Sequence, residues 1–598
     1  LGKLSEIRAY ARGNQPVALY QKLLKVDGSE GDLTEDNFFA LDYTPLPLAN
    51  KFRRQALGLL RDYDYNIEAS VVDNLSTKES DKFLQKVKSA VRIQEVAKQV
   101  APELAQEDVL KVAEDQPATL DEFEVWQKYS YKHRLAYEIE VAVQHVFQTN
   151  KIQDLRARWR KDLFDFGVAI ARDEVIDGEV RIRYVDPRRF VVSYCDNHDF
   201  SDMVYAGEVM TVPISKLREM AGDEFTEDQY RAIAEATNPD KFNELRNIKY
   251  RTGRFYDEMK VDILDLELIT TDKVVYKESM NKRGNKVIVK ANRNEYDKPR
   301  QGAKYSSKTR SRVYKIKWII GTEFAFDAGL CSHQKRRTGD PYEVSLSYHA
   351  VAYDFEDMKP MGITELLIPV IDQMQLNWLK VQQCLIAARP KGFAVNVGAL
   401  EDVPITNGGM DMQPDELIRF FVRHGVLAYR QENIAGVPVN GIPITELANG
   451  IDPSVQIYWS NVVNCINLIR DITGLNPVTD GSSVNPKMLT TPTEMAGAAT
   501  NNALSGIIES DEKLLLSLAE SAIMRIQSML MAGDVYTLAL GEETARIIKL
   551  SKDLSIREFG ISMTKRPTED EKKILIQEAK NLFGADMVGM DDIFFIKN

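Results

Sequence analysis

The strongest pattern of hydrophobic and polar positions lies in 449–530 and predicts a helix, a loop and a second helix. In 455–472 the apolar residues recur at the 3.6-residue period of a helix. Asp452 is a favourable N-cap with a proline behind it at N1, and Gly474 is the residue type that often ends a helix in the left-handed conformation. We therefore predict a helix over 451–474.

The loop that follows, 475–490, is dense in turn-forming pairs, and a second helix start comes after it. Thr491, Pro492 and Glu494 supply an N-cap, a proline at N1 and the acid of a capping box. The helix behind them is predicted to run over 491–530, roughly 55–60 Å at 1.5 Å per residue. Held between two strong helices, such a loop can move while its base stays fixed.

A further helical pattern, 361–390, contains Pro369, which either starts or kinks the helix. A mixed segment, 391–450, follows it and is predicted to hold a strand, a short helix and a second strand. This insert separates two helices of similar length, which most simply run antiparallel. We therefore predict that the insert caps a two-helix stalk.

The part of the chain before these helices is predicted to combine helices with strands. Helical and extended patterns fill 1–118, and helices followed by period-two strands fill 119–360. Asp177 and Gly178 are predicted to form a hairpin turn, and separate strands are predicted at 261–269, 273–277 and 286–290. The basic, polar segment near 281–308 is predicted to be a long mobile hairpin or insertion, or else an arm that touches phosphates.

A run of charged residues on the predicted helix 152–166 has two interpretations. Arg156, Arg158, Arg160 and Lys161 either form a solvated face or contact nucleic acid. Because charged runs on helices usually face solvent, we favour the first interpretation.

Composition is typical of a globular protein of the α+β class from a reducing compartment. The 598 residues are 44% hydrophobic and carry a net charge of −12, which argues against non-specific adhesion to nucleic acid. The four cysteines lie far apart without CxxC spacing, and neither a run of about 18 apolar residues nor a signal peptide is visible. Because residue 1 is a leucine, we expect the ordered portion of a longer polypeptide.

No motif of a familiar enzyme chemistry occurs in the sequence. The patterns GxxxxGKS/T, HExxH and GxSxG are absent, and none of the six histidines stands at ligand spacing from another histidine or a cysteine. We therefore expect no catalytic residues, no metal, no cofactor and a protein that is not an enzyme. The alternative is a nucleic-acid-processing enzyme whose site is assembled from scattered carboxylates.

Four local sequences resemble portal proteins of tailed bacteriophages, most closely those of crAss-like phages. They are Leu-Asn-Trp-Leu-Lys-Val at 376–381, Ala-Arg-Pro-Lys-Gly at 388–392, Asp-Ile-Thr-Gly-Leu-Asn-Pro-Val-Thr-Asp-Gly at 471–481 and Val-Asp-Pro-Arg-Arg-Phe at 185–190. The order of helix, insert, helix, loop and long helix also resembles that family. The resemblance covers about 120–530 and is weak over the first hundred residues and the basic segment.

The resemblance implies a portal-type subunit with a helical wing, stem and tunnel core, β-rich wing patches and a small α/β clip. Its parts would be an N-terminal segment (1–118), a wing (119–360), a stem helix (361–390), a clip (391–450), a second stem helix (451–474), a tunnel loop (475–490), a tunnel helix (491–530) and a C-terminal segment near the wing or crown (531–598).

The resemblance also implies a function in the virion. Portal subunits form a ring, usually of twelve copies, at one capsid vertex, and assemble in the host cytoplasm without a membrane. Double-stranded DNA is packaged and ejected through the ring. The implied partners are other copies of the chain, the DNA, the terminase large subunit, the major capsid protein and head–tail connector or adaptor proteins. A head–tail adaptor or another virion structural protein is the alternative.

Candidate residues fall in three places. Those facing DNA in the tunnel loop are Thr479, Asp480, Ser482, Ser483, Asn485 and Lys487; those for docking on the clip are Glu401, Asp402, Asp411, Asp415, Arg419 and Arg423; those packing in the stem are Trp378 and Trp459. Lys487 either meets phosphates or is solvated, and the tryptophans either pack within the stalk or face DNA. Small residues in 496–506 either pack against a neighbouring subunit or belong to one subunit's core.

Overall fold

The computed structural model describes most of the chain. The described residues are 2–24, 41–61, 63–100, 133–240, 256–280, 286–291, 304–337, 339–340, 342–387, 393–395, 406–407, 410–411, 416, 419, 423, 444–446, 453–476, 499–500, 502–532, 537–540, 546–550 and 552–565. The chain divides into two compact units: a larger unit of Leu1–Ala11, Lys51–Leu366 and Thr473–Asn598, and a smaller unit of Arg12–Asn50 and Leu367–Ile472.

Helices and strands lie largely in separate runs along the chain, as is typical of the α+β class. The helices are α1 (Gly2–Arg12), α2 (Val17–Leu24), α3 (Leu48–Arg61), α4 (Asn74–Val100), α5 (Arg134–Thr149), α6 (Ile152–Phe166), α7 (Ile214–Ala221), α8 (Glu227–Thr237), α9 (Ile363–Ala387), α10 (Ser454–Thr473) and α11 (Ser505–Ala532). The strands are β1 (Tyr65–Val71), β2 (Val168–Ile176), β3 (Glu179–Tyr184), β4 (Phe190–Val192), β5 (Tyr205–Pro213), β6 (Lys260–Met280), β7 (Lys286–Lys290), β8 (Tyr305–Ile319), β9 (Ala325–Leu330), β10 (Tyr348–Ala352), β11 (Phe355–Glu356), β12 (Lys359–Pro360), β13 (Phe393–Val395), β14 (Thr406–Asn407), β15 (Met410–Asp411), β16 (Ile444–Glu446), β17 (Thr537–Leu540), β18 (Arg546–Lys549) and β19 (Phe559–Lys565). Each described strand pair is antiparallel, so the mixed α+β class is confirmed.

A three-stranded sheet in the order β10-β2-β3 lies in the larger unit, and α6 and α11 pack against it. As predicted, Asp177 and Gly178 form the turn between β2 and β3, with φ values of 53° and 78°. Both residues are left-handed, as a two-residue turn of type I′ requires. The first half of β2 is buried throughout, which places its charged residues inside the protein.

A six-stranded sheet in the order β4-β5-β6-β8-β9, with β7 on β6, forms the other large layer of this unit. Helices α7 and α8 cover one end of it with an apolar cluster that includes Leu217, Ile233 and Ile263. The two strands predicted at 261–269 and 273–277 are one strand of 21 residues, because β8 pairs with β6 without a break from Ile263 to Lys277.

A two-stranded sheet joins parts of the larger unit that are far apart in sequence. Strand β1 pairs with β19 from Tyr65–Lys565 to Val71–Phe559. Neither strand was predicted from the sequence. The predicted start of a helix at 119 and the capping box at 568 and 571 lie outside the described residues.

Helix α11 is the core helix of the larger unit, and the predicted helix start at 491 lies outside the described residues. The described helical residues before it, 499–500 and 502–503, are followed by a turn at Leu504. The Ser505 hydroxyl donates to the Asn502 carbonyl, a local bond that competes with the helical ladder. Over Ser505–Met531 the helix could cross a membrane by length and composition, but 67% of its most apolar window is buried in the protein. Together with its buried charges this indicates a core helix.

In the smaller unit, α9 runs through Pro369 without ending there. The short strands β13 and β16, which follow α9 and precede α10, pair with each other from Phe393–Glu446 to Val395–Ile444. The segment between them therefore begins and ends at one place, as expected for an insert between two helices.

Candidate functional site

The six candidates for DNA contact in the loop, 479–487, lie outside the described residues. The residues at its start are described, and they are tied to Thr500, which lies ten residues beyond the predicted end of the loop. The Thr500 hydroxyl donates to the Gly474 carbonyl at 3.0 Å, and the Asn476 amide donates to the Thr500 hydroxyl oxygen at 3.1 Å. Thr500 is fully buried. The loop is therefore closed at its base.

Gly474 ends α10 with φ +68°, the left-handed conformation predicted for a helix stop. A Cβ atom on this residue would lie 2.2 Å from the Cβ of Ala503. Glycine is therefore needed for the backbone conformation and for the close approach of the returning chain. The second requirement could not be seen in the sequence, because the two residues are 29 positions apart.

Two contacts in the smaller unit relate the predicted stem helices α9 and α10. The rings of Trp378 and Trp459 lie with centroids 6.2 Å apart, and the Cys384 sulfur lies 3.7 Å from the Ser454 hydroxyl. Moving forward along α9 therefore means moving backward along α10, so the helices run antiparallel at these contacts. Trp459 remains 50% exposed, so part of its side chain is accessible to solvent.

The clip candidates are only partly described. Asp411 lies in β15, which pairs with β14. Arg419 and Arg423 are helical and exposed, as is Glu416. Their spacing of three and four residues puts all three on one helix face. Glu401, Asp402 and Asp415 lie outside the described residues.

A buried ion pair fixes the first half of α11. The Arg156 and Arg160 Nε atoms donate to the Asp511 carboxylate at 2.8 and 2.9 Å, and all three side chains are buried. Both sequence interpretations of the charged run on α6 are thus wrong for these two arginines. The physical reason is that their counter-charge comes from a helix about 350 residues further along the chain. Arg158 and Lys161 are exposed, as predicted.

A second buried cluster fixes the other half of α11. Asp173 of β2 accepts from Arg525 Nε at 2.7 Å and from the Ser521 hydroxyl at 2.9 Å, both on the helix. Lys335 Nζ donates to the same carboxylate at 3.0 Å, and His349 Nε2 lies 2.9 Å from it. The sequence analysis missed this cluster. Its only sequence signal is a few charged residues within an otherwise apolar helical pattern.

Electrostatics in this cluster favour a fixed charge on Asp173. Burial alone would raise the pKa of this carboxyl, but Arg525 and Lys335 outweigh it and hold the pKa well below its usual range. Burial, together with the neighbouring Lys335, lowers the pKa of His349 to about 4. The imidazole is therefore neutral near pH 7.

The residue next to Asp173 makes a matching cluster on the other face of the strand. Arg172 pairs with Asp265 at 2.7 Å and with Glu208 and Glu267 at 3.2 Å, which belong to the six-stranded sheet. Successive residues of a strand point to opposite faces. Strand β2 is consequently bonded to α11 on one side and to the second sheet on the other.

The Asp173–His349–Ser517 chain resembles a hydrolase triad with the two ring nitrogens exchanged, because His349 Nδ1 lies 2.6 Å from the Ser517 oxygen and Nε2 faces Asp173. A cavity of about 490 Å³ is lined by His349, Ser517 and Lys335. Two features argue against catalysis. An imidazole with a pKa near 4 is a weak base at neutral pH, and Asp173 is already neutralised by two cations. We interpret these three residues as part of the buried contacts that hold helix α11 in place, which we call the α11 anchor.

Among the residues that the structure describes, no group of three or more His, Cys, Asp or Glu side chains could hold a metal ion. Comparison with known proteins adds no relative: no protein-family model matches the chain, and no curated protein matches it significantly.

Proposed function

We propose that the chain is one subunit of a ring-shaped portal of a tailed phage, through which double-stranded DNA enters and leaves the capsid. In this proposal the protein is located at the portal vertex of the virion. The terminase large subunit, the major capsid protein and head–tail connector proteins are its partners beside the DNA. The proposal combines the sequence resemblance with the geometry around the loop at 475–490.

The observation that carries the proposal is the closed base of that loop. Thr500 is bonded to Gly474, so the 25 residues between them leave and re-enter the structure at one buried point. Behind this point α11 is held by Asp511 and Arg525 through buried charges. We infer that these contacts keep the helix behind the loop in place, as a gate around moving DNA requires.

Two further observations support the proposal. The antiparallel contacts between α9 and α10, with an insert that starts and ends at the paired strands β13 and β16, fit a stem with a clip. The net charge of −12 suits a passage, because a channel that neutralised many phosphates would hold the DNA instead of letting it slide.

Deleting 479–487 tests the proposal. The expected result is a chain that still forms rings, because the deletion leaves Gly474 and Thr500 in place, but that packages or retains DNA poorly. The matched control replaces the same residues with a Gly-Ser sequence of equal length, which separates loop chemistry from loop closure. Unchanged packaging after the deletion would count against the role of the loop.

A hydrolytic enzyme is the second candidate, because the Asp173–His349–Ser517 chain borders a cavity. A fluorophosphonate probe, which labels activated serines, distinguishes the two. The portal proposal predicts no labelling. Labelling that disappears in Ser517→Ala would favour the enzyme.

A further inference from the structure

The far part of the six-stranded sheet differs in charge from the rest of the chain. We call this part the basic ribbon and define it as 270–280 of β6, all of β7 and 304–312. Its only acidic residues are Asp272 and Glu278, and its basic residues are Lys273, Lys277, Lys286, Lys290, Lys304, Lys308, Arg310 and Arg312. The surplus of positive charge stands against a net charge of −12 for the whole chain.

Strand register gathers most of this charge on one face. Directly opposed residues of antiparallel strands point the same way. The pairs Thr270–Arg312, Asp272–Arg310, Val274–Lys308, Tyr276–Lys290 and Met280–Lys286 therefore share a face, and the next position in register adds Lys304 opposite Glu278. Along 304–312 the basic residues recur at multiples of two positions, about 6.6–6.8 Å apart for neighbours.

Among the residues that the structure describes, internal counter-charges do not neutralise this face. Asp272 pairs with Arg312 at 2.9 Å, but the buried Nε of Arg310 has no hydrogen-bond partner among the described residues. Burial and the nearby Arg310 and Arg312 lower the pKa of Arg336 to about 10. Lys308 lies over the Tyr342 ring at 4.7 Å, and Lys286, Lys290, Lys304 and Lys308 are exposed.

We propose that this face of the basic ribbon binds the phosphate backbone of duplex DNA. A regular row of cations along a β-ribbon matches a regular row of phosphates, and the major groove of B-DNA admits a β-ribbon. Lysine and arginine ends that meet phosphates carry no sequence information, so binding is independent of sequence. The inference does not require the chain to form a ring.

Binding of a labelled duplex to the full-length protein, measured by fluorescence anisotropy over a series of salt concentrations, tests the proposal. The test variant carries Lys286→Gln, Lys290→Gln, Lys304→Gln and Lys308→Gln. The control removes the same charge from exposed lysines elsewhere, with Lys78→Gln, Lys82→Gln, Lys86→Gln and Lys161→Gln. The test variant is expected to bind at least about tenfold more weakly near 0.1 M salt and to lose about three units of the salt-dependence slope. The control is expected to stay within about twofold of wild type.

A second pair of variants tests the face itself. Lys304→Gln with Lys308→Gln removes two charges from the proposed binding face, and Lys273→Gln with Lys277→Gln removes two from the opposite face. The first pair is expected to weaken binding several-fold more than the second. Equal effects of the two pairs would overturn the assignment of the face.

Two other results would overturn the proposal. One is a wild-type protein that does not bind duplex DNA at low salt. The other is a test variant that binds DNA normally but fails to self-associate, which would assign the ribbon to an acidic surface of a second copy. A ring-forming protein that ignores DNA contradicts only this proposal, whereas a monomer that binds DNA through the ribbon contradicts only the proposed portal function.

Discussion

Two clusters of basic residues look alike in the sequence and differ in the folded protein. The arginines of α6, Arg156 and Arg160, are buried and share Asp511. The lysines of the basic ribbon, such as Lys304 and Lys308, are exposed and outnumber the acids around them. One cluster holds the protein together, and the other is free to meet a partner.

The difference comes from where the counter-charge lies. A buried cation must be paired, because an isolated charge in the protein interior costs several kcal/mol. The counter-ion of α6 comes from α11, far along the chain, so a local pattern of charges cannot show it. The ribbon extends beyond the apolar cluster of its sheet, where water solvates unpaired lysines at little cost.

The largest expected effect is on the buried cluster. Asp511→Ala leaves two buried arginines without their carboxylate, and we expect the free energy of unfolding to fall by about 3–5 kcal/mol. Chemical denaturation followed by circular dichroism measures it. Glu509→Ala on the same helix, an exposed position, is the control and is expected to cost less than about 0.5 kcal/mol. Equal decreases in the free energy of unfolding in the two variants would contradict a stabilising role for the buried Asp511 cluster.

The second effect concerns pH. The pKa of His349 is about 4 in the folded protein against 6.5 ordinarily, so the unfolded chain takes up this proton first as the pH falls. The stability contributed by the neutral imidazole is complete above pH 6.5 and is lost between about pH 6.5 and 4. At about 1.4 kcal/mol per pKa unit, the loss is about 3 kcal/mol. Between pH 6.5 and 4 the free energy of unfolding of wild type should therefore fall by about 3 kcal/mol more than that of His349→Gln. Parallel plots of unfolding free energy against pH for the two proteins would contradict this prediction.

A third effect concerns the base of the loop. Gly474→Val puts a branched side chain at φ +68° and against Ala503, and we expect a local cost of about 2 kcal/mol. Limited proteolysis should show faster cleavage within 477–498. Gly474→Ala combined with Ala503→Gly removes the overlap of the two Cβ atoms and should restore much of the protection. Unchanged cleavage of the valine variant would mean that the base is not closed in solution.

The smallest effect is on the ribbon. Lys304→Gln with Lys308→Gln should change the free energy of unfolding by less than about 0.5 kcal/mol, because exposed lysines contribute little to stability. The same denaturation experiment measures it. A loss as large as that of Asp511→Ala would show that these lysines are structural, and the contrast between the two clusters would disappear.

Elements with a strong local signal could be predicted from the sequence. Helix α6 and strand β7 have their predicted bounds, and the stop of α10 at Gly474 and the turn at Asp177 and Gly178 are where turn chemistry puts them. In each case neighbouring residues determine the local backbone conformation. The six loop candidates remain predictions, because they lie outside the described residues.

What could not be predicted depends on long-range partners. Strands β1 and β19 both alternate apolar with polar residues, but the pairing that joins them spans almost the whole chain. The polar stretch Thr270–Asp272 predicts a break between two strands. In the structure, backbone pairing with β8 continues across it, so β6 is one strand. The clusters around Asp173 and Asp511 likewise join residues that are hundreds of positions apart.

Electron microscopy of the purified full-length protein in negative stain tests the central proposal most directly. The portal proposal predicts closed rings of a fixed subunit number, twelve in the family it resembles, with a central opening wide enough for duplex DNA. A protein that stays monomeric at high concentration would contradict it.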